Sequence, residues 1–441
     1  MRGRAASGCC HERGAAAAMS AARQPSTVSP VGLYVHFPLC LSVCPYCDFV
    51  VAGGSAARGP GSLVDRFAEA LQLEVQLRST GPPATQPLSS IYIGGGTPSL
   101  LSAPQVERLL ATVDRSFGIS PRAEVTIEVN PGPGERGDLA GLRAAGVNRL
   151  SVGAQTFAPD ELRRLGRRHT PGDIEATATA ARRAGFENIS LDLLYDVPGQ
   201  TVESWRRTLA RSLALVPEHI SAYALSLDDP DAEGLTGAGG DHLPLRRGAR
   251  RWREEARRAQ DEDRAADMYE MADEVLERAG LRWYEISNWA RPGSESRHNL
   301  NYWHGGAWEA VGPGAHAFDG LRTRRWNAAR LDFYLSAVEA GKPPPGGREV
   351  ADPLTADVER AILQLRTVKG LSPIDAPSGP AASAIAWGLR TGLLARAGDR
   401  VRLTRRGRLL SSELFTRMLV DSQRERAGAL APAPALEAAC S

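Results

Sequence analysis

The stretch YVHFPLCLSVCPYCDF, Tyr34–Phe49, places three thiols, Cys40, Cys44 and Cys47, within eight residues. Of the other cysteines, Cys9 and Cys10 lie near the start and Cys440 is next to last. Every cysteine between the two tails therefore sits in this one loop. A disulfide framework would spread its cysteines through the fold, so the pattern points to metal or redox chemistry in a reducing setting. Three thiolates in a C-x3-C-x2-C loop can surround a 4Fe-4S cluster and leave one iron open to a small molecule. The rival is structural zinc, which wants four N or S ligands; His36 could supply the fourth.

Outward from the loop the chain alternates strand and helix. GLYVHF leads into the loop as a short β-rich run. The periodicity predicts further strands at SSIYIGG, EVTIEV, VNRLSVGAQ, ENISLDLLY and HISAYALSL. Between them it predicts helices at LVDRFAEALQLEVQLRS, SAPQVERLLATVDRSF (with Ser102 as N-cap), GDLAGLRAAG, DIEATATAARRAG and TVESWRRTLARSLAL. This is the signature of an α/β domain with parallel strands, in a full or partial barrel, whose sites gather at strand ends. Residues 231–265 break the pattern with a Gly-rich linker and a dense mixed-charge run, which reads as a solvated loop or exposed helix. AADMYEMADEVLERAG resumes an amphipathic helix. Pro343–Pro345, followed by Gly346 and Gly347, mark a linker. Beyond it, helices around a small hairpin resemble a winged-helix-like end domain. With no basic patch beyond RLTRRGR, packing or a partner role suits that domain better than DNA binding.

The chain has 441 residues, 42% hydrophobic and 24% charged, with a net charge of +2. Such a balance gives no field suited to nucleic acid or anionic membrane. No apolar run is long enough to span a bilayer. The first 29 residues are rich in Ala, Ser and Arg, with Arg2, Arg4, Arg13 and Arg23 facing one acid, Glu12. That composition suits a mitochondrial transit peptide; the alternative is a disordered leader, or sequence upstream of a start at Met19.

Further motifs follow in order. IYIGGGTPSLL (residues 91–101) puts three glycines after a strand, where bare backbone can approach and hold a polar ligand. IEVNP, SVGAQTF, LRRLGRRHT and SLDLLYDVPGQT then place Glu128, Gln155, Arg167 and Asp192 at or near successive strand ends. Singly, each has a structural explanation as a cap, an ion pair or a strand-end hydrogen bond. Jointly they converge on one mouth.

The cysteine loop, with Tyr46 before its last cysteine, and the glycine motif together resemble the radical SAM enzymes. The resemblance covers about residues 31–420. It implies a radical SAM partial (β/α)6 barrel with a C-terminal extension and a small winged-helix-like C-terminal domain. It implies a 4Fe-4S cluster on Cys40, Cys44 and Cys47, with S-adenosylmethionine as exchangeable ligand of the open iron. In that family one electron from the cluster cleaves the sulfonium to methionine and a 5′-deoxyadenosyl radical. Cofactor contacts carried over by the resemblance are Tyr34, Tyr46, Gly95, Gly96, Thr97, Glu128, Gln155, Arg167 and Asp192. The corresponding division is leader 1–29, radical SAM core 30–235, charged run plus extension 236–345, and end domain with tail 346–441.

Within the family the chain is most similar to the branch of oxygen-independent coproporphyrinogen III dehydrogenase and the HemW-type haem chaperones. The dehydrogenase branch has another Cys two residues after the third, where this chain has Phe49, and a longer N-terminal portion. YEISNWARPGSESRHNLNYW (residues 284–303) is similar to the chaperone stretch containing H-N-x-x-Y-W. By that resemblance His298 and His304, flanked by Tyr302 and Trp303, are candidate haem ligands, with His316 a further candidate. Composition alone reads the same stretch as a packed polar-aromatic turn against the barrel. The resemblance implies haem as cargo, haem-accepting proteins (respiratory ones among them) as partners, an electron donor, and a mitochondrial matrix location. The alternatives are a radical SAM oxidoreductase acting on coproporphyrinogen III or another substrate, and a non-catalytic zinc module. One departure stands out: the charge run at 241–260 looks like extra sequence.

Overall fold

Six strands lie side by side in chain order and run parallel: β1 (Gly32–Phe37), β2 (Leu88–Gly95), β3 (Ile119–Val129), β4 (Arg149–Gln155), β5 (Ile189–Tyr195) and β6 (His219–Ala224). They belong to a computed structural model that describes residues 31–79, 86–377 and 380–430. The leader expected over 1–29 lies outside the described residues, as do Cys9, Cys10 and Cys440. Parallel neighbours need crossovers, and helices supply them: α1 (Val64–Arg78), α2 (Ala103–Phe117), α3 (Leu139–Ala144), α4 (Pro159–Arg164), α5 (Pro171–Arg183) and α6 (Val202–Ala214). Ser102 opens α2 as expected, its N–H donating to Gln105 Oε1 at 2.8 Å.

The two-residue period of each strand sorts its side chains. Leu33, Val35, Phe37, Ile91 and Ile93 are fully buried with Phe67, Leu71 and Val75 of α1 and Val106 and Leu109 of α2. The alternate positions carry most of the polar side chains, and Tyr92, Glu128, Ser151, Asp192 and Ser221 among them line the lumen cavity. The sequence periodicity thus already encodes a barrel wall with a greasy outside and a polar inside.

The sheet extends beyond the six strands. Past β6 come β8 (Asn288–Ala290) and β7 (Arg282–Glu285), both antiparallel. On the other edge β9 (Trp308–Val311) joins β1 in parallel, followed by β10 (His316–Phe318), β11 (Thr323–Asn327) and β12 (Gly346–Val350), all antiparallel. The result is one twelve-stranded sheet. These added strands have three to five residues each, too short to register as a period in the sequence.

The charge run forms α7 (Arg247–Arg257), followed by α8 (Glu262–Arg278). Only one face of α7 is solvated: Arg253 is 1% exposed and Ala256 is buried beside it. HNLNYW forms a short helix, α9 (Arg297–Trp303), rather than a turn. The end domain has α11 (Pro353–Leu365) and α12 (Pro380–Arg390), the hairpin β13 (Leu394–Ala397) and β14 (Arg400–Leu403), then α13 (Arg405–Leu409) and α14 (Ser411–Leu430); α10 (Leu331–Glu339) packs on α1. Its core of Val358, Ala361, Leu365, Leu403, Leu414 and Met418 is separate from the barrel's. Asp273 of α8 ties the two together, accepting from Arg408 (2.6 and 2.9 Å), Arg405 (2.7 Å) and the Trp289 indole (2.9 Å). No described helix is long and apolar enough to cross a membrane.

Candidate functional site

The cysteine loop leaves β1 after Phe37. Its ends are pinned where Leu39 and Cys40 pair with Ala52 and Gly53. Within it, the Cys47 amide donates to the Cys44 carbonyl at 3.2 Å. The three thiols, none of them in a disulfide, line one cavity of about 480 Å3 at the C-terminal ends of the strands. Burial pushes the Cys40 thiol up to about 11 and the Cys47 thiol up to about 12. Such thiols stay neutral until something takes their protons' place. Phe49, 60% exposed, stands on the rim.

The glycine motif owes its composition to close packing. Gly95 has φ +108°, and a Cβ there would lie 2.6 Å from the His36 ring. A Cβ on Gly96 would lie 2.7 Å from the Leu39 carbonyl oxygen. The Gly96 and Thr97 amides donate to Phe37 and Leu39 at 2.7 and 2.8 Å, so the motif sews the end of β2 to the start of the cysteine loop. The Gly95 amide is engaged too, donating to Glu128 Oε2 at 2.9 Å. Gly95 and Gly96 therefore offer the cavity a bare surface rather than free amide donors.

Glu128, Gln155, Arg167 and Asp192 meet at this cavity, with Tyr46, Gly95, Gly96 and the cysteines. Tyr92 donates to Glu128 Oε1 at 3.0 Å. Burial, then the charge of Asp192, raises the Glu128 carboxyl to about 7. Asp192 is also raised, first by burial, although the Ser151 hydroxyl donates to it at 2.8 Å. Gln155 sits at φ +63°, a left-handed conformation uncommon outside glycine, at the very end of β4. Arg167 donates to Asn130 Oδ1 at 2.5 Å and the Gly153 carbonyl at 2.9 Å, and its other amino group lies 3.8 Å from Cys44 Sγ. Tyr34 and Thr97 stand behind the cavity wall. The Tyr34 hydroxyl bonds His36 Nδ1 at 2.9 Å, and Thr97 accepts from Asn130 at 3.0 Å. With Nε2 bonded to the Val50 carbonyl at 2.8 Å, His36 has both ring nitrogens occupied.

Four further lumen residues carry the site, and none was singled out by motif. Asn130, two residues beyond Glu128 in IEVNP, bridges Arg167 and Thr97. Arg149, Ser151 and Tyr223 line the lower cavity. Arg149 is 2% exposed and its Nε has no partner among the described residues. The signal was present: Arg149, Ser151, Gly153 and Gln155 share one face of β4.

The two histidines of the HNLNYW stretch lie away from the thiols. Helix α9 closes the opposite end of the barrel. His298 is 1% exposed; Nδ1 bonds Ser90 Oγ at 3.0 Å and Nε2 bonds the Tyr302 hydroxyl at 2.7 Å. Its ring stacks on Tyr92, and burial followed by the charge of Arg149 lowers it to about 3. Asn299, the next residue, reaches the cavity floor. His304 caps α9 and is exposed; its amide donates to the Leu300 carbonyl at 2.9 Å, while its ring has no hydrogen bond among the described residues. Burial of part of its ring, then Lys369 and Arg400, lower its affinity for a proton. His316 is paired with Asp241 at 2.9 Å and stacked on Trp326.

The donor set fits a cluster better than a lone ion. Zinc needs four ligands around one point, yet no three His, Cys, Asp or Glu side chains among the described residues group as they would around one metal ion. His36 is already committed. Three thiols distributed around a cavity suit a group with several metal atoms, and bound S-adenosylmethionine would add the radical-forming sulfonium. Cys40, Cys44 and Cys47 would hold the cluster, with Arg167 beside Cys44.

The radical SAM superfamily pattern matches residues 34–212. "Heme chaperone HemW" of Mycobacterium tuberculosis is 38% identical over 397 residues, 90% of this chain and 96% of that protein. "Radical S-adenosyl methionine domain-containing protein 1, mitochondrial" of Danio rerio is 34% identical, over 79% of this chain and 75% of that protein. The fold is similar to a solved coproporphyrinogen III oxidase of Escherichia coli, a radical SAM enzyme, with TM-score 0.70 and 24% identity over 89% of this chain and 90% of that one. With 38% identity over nearly the whole of both chains and the superfamily pattern over residues 34–212, the chain belongs to the radical SAM superfamily, in the family of the HemW proteins.

Proposed function

We propose that this protein binds haem and hands it to acceptor proteins, carrying a 4Fe-4S cluster and S-adenosylmethionine in the barrel mouth. The observation that carries this reading is similarity to the chaperone relatives along almost their whole length, including the end domain. Membership of the superfamily implies the cluster and S-adenosylmethionine. For the latter, Gly95, Gly96, Glu128, Gln155, Arg167 and Asp192 would form the contacts, Tyr46 the wall, and Tyr34 and Thr97 the layer behind.

Of the two candidate haem ligands, His304 is the more accessible. A neutral, unbonded imidazole can ligate iron at once, and the nearby Lys369 and Arg400 suit the two propionates. His298 would have to surrender both its hydrogen bonds first. The test is a haem titration followed at the Soret band, with His304→Ala and His298→Ala in parallel. Binding unchanged by both variants would refute the ligand assignment.

The dehydrogenase reading shares the barrel and the thiols. Phe49 on the rim, where that branch has a fourth cysteine, weighs against it. An anaerobic assay with reductant, coproporphyrinogen III and S-adenosylmethionine decides: protoporphyrinogen formed at a useful rate would overturn a carrier-only role. The mitochondrial matrix address rests on the basic leader and the name of the zebrafish relative. Residues 1–30 fused to a fluorescent reporter test it.

A further inference from the structure

We propose that Arg253 is a positioning residue for the cluster: through it, helix α7 clamps the segment carrying the third thiol and fixes a positive charge beside it. This concerns the cysteine loop alone and holds whether or not the chain carries haem.

The loop has three successive carbonyls, of Pro45, Tyr46 and Cys47, that belong to no helix or sheet. Half-buried carbonyls need partners, and here one side chain provides them all. Arg253 Nε donates to Pro45 O at 3.2 Å, and Nη2 donates to Tyr46 O at 2.9 Å and Cys47 O at 3.0 Å. Nη2 also meets the Asp48 carboxylate, and Nη1 the Asp228 carbonyl, which ties the loop to the segment after β6. A planar five-donor fork can serve several acceptors at once; an ammonium on a flexible stem cannot hold that geometry. An arginine 1% exposed is rare unless paired, and Asp48 is the pair.

The helix behind the arginine is itself anchored. Arg250 donates to Asp229 at 3.0 Å and Asp231 at 2.6 Å. Ala256 is buried with Leu165, Leu194, Val197, Leu225 and Leu227, and Trp252 packs toward Tyr46 with ring centroids 6.5 Å apart. Residues 252, 253 and 256 share the inward face, while Arg251, Glu254 and Glu255 point to solvent. A run that reads as a solvated insertion thus grips the loop whose thiols define the family.

Two consequences follow, and they can be separated. Losing the fork frees three carbonyls and loosens Cys47, so a cluster should be shed faster. Losing the charge removes a cation near an anionic group and leaves Asp48 unopposed, so its reduction becomes harder. Arg253→Lys tests the first alone, and Arg253→Met tests both.

The experiment reconstitutes the full chain anaerobically, then measures iron loss to a chelator, reduction potential by EPR-monitored titration, and the melting temperature of the iron-free chain. Arg251→Ala, on the exposed face of α7, is the control. Wild-type chain that takes up no iron would refute the cluster itself, before any variant is read. Iron loss about tenfold faster in both Arg253 variants is expected, as for the loss of charged hydrogen bonds. The potential should become more negative in the Met variant and stay near wild type in the Lys variant. Iron loss at the wild-type rate in both variants overturns the proposal. So does an equal effect of Arg251→Ala, or faster loss only in step with a lower iron-free melting temperature and no shift in potential.

Discussion

The two ends of the barrel hold the same kinds of residue in opposite states. At the floor, His298, Ser90, Tyr302 and Glu124 satisfy one another: the ring nitrogens bond two hydroxyls, and Glu124 accepts the His298 amide at 3.2 Å. At the mouth and just below it, three thiols, two carboxylates with raised affinity for protons, and two arginines, Arg149 and Arg167, whose Nε has no partner among the described residues, face a shared cavity. Residue type does not separate scaffold from site, since both ends are rich in groups that bind ligands. Surroundings do: the floor groups bond one another within packed protein, whereas the thiols, carboxylates and arginines of the mouth, though partly bonded within the chain, line an open cavity.

The largest effect expected of that contrast is at the thiols. Cys44→Ala should abolish iron uptake and the brown colour after anaerobic reconstitution, while leaving the apo chain folded. Cys44 is only partly buried and its loop is held by other residues, so its loss should move stability by less than about 1 kcal/mol. A variant that still binds iron at the wild-type stoichiometry would erase the distinction between the two ends.

The floor should answer in the reverse sense. His298→Ala strips partners from Ser90 and Tyr302 and opens a hole beneath Tyr92, at a cost of about 2–4 kcal/mol in urea unfolding. His304→Ala, at an exposed position, should change stability by less than about 0.5 kcal/mol. The haem titration should show the opposite ranking, with His304→Ala the weaker binder. If His298→Ala proves neutral for stability, its network is not scaffold, and the floor would have to be counted as a second site.

The barrel was legible because its strands keep a strict two-residue period and its helices carry clear starts, as at Ser102. The mouth was legible because Cys40, Cys44 and Cys47 are contiguous in sequence. The extension strands were not legible: β10, for instance, has three residues and takes its pairing from β11 rather than from its own pattern. Nor was α7. Its composition is dominated by the solvent face, and one buried arginine among many exposed ones leaves no trace in sequence. Asn130 and Arg149 were missed for another reason. Both lie within strand-like stretches, IEVNP and VNRLSVGAQ, but their lumen-facing register becomes visible only once β3 and β4 are paired.

A last predicted effect separates mouth from floor through pH. A carboxyl whose affinity for protons is raised in the folded chain binds a proton that the unfolded chain has already released. Between about 4.5, the ordinary value, and about 7, the folded value of Glu128, stability should therefore fall as pH rises. Below that window both states are protonated, and above it both are ionised, so the penalty is absent at low pH and complete at high pH. Glu128→Gln removes the ionisation while keeping an acceptor for either the Tyr92 hydroxyl or the Gly95 amide. The iron-free variant should then gain on wild type as pH rises, from no advantage at pH 4 to about 3 kcal/mol at pH 8. Urea unfolding of both proteins across that range measures the difference directly. A gap that stays constant with pH would mean Glu128 is ionised throughout, its hydrogen bonds outweighing burial and the charge of Asp192. The mouth would then hold a preformed anion as satisfied as the network under the floor.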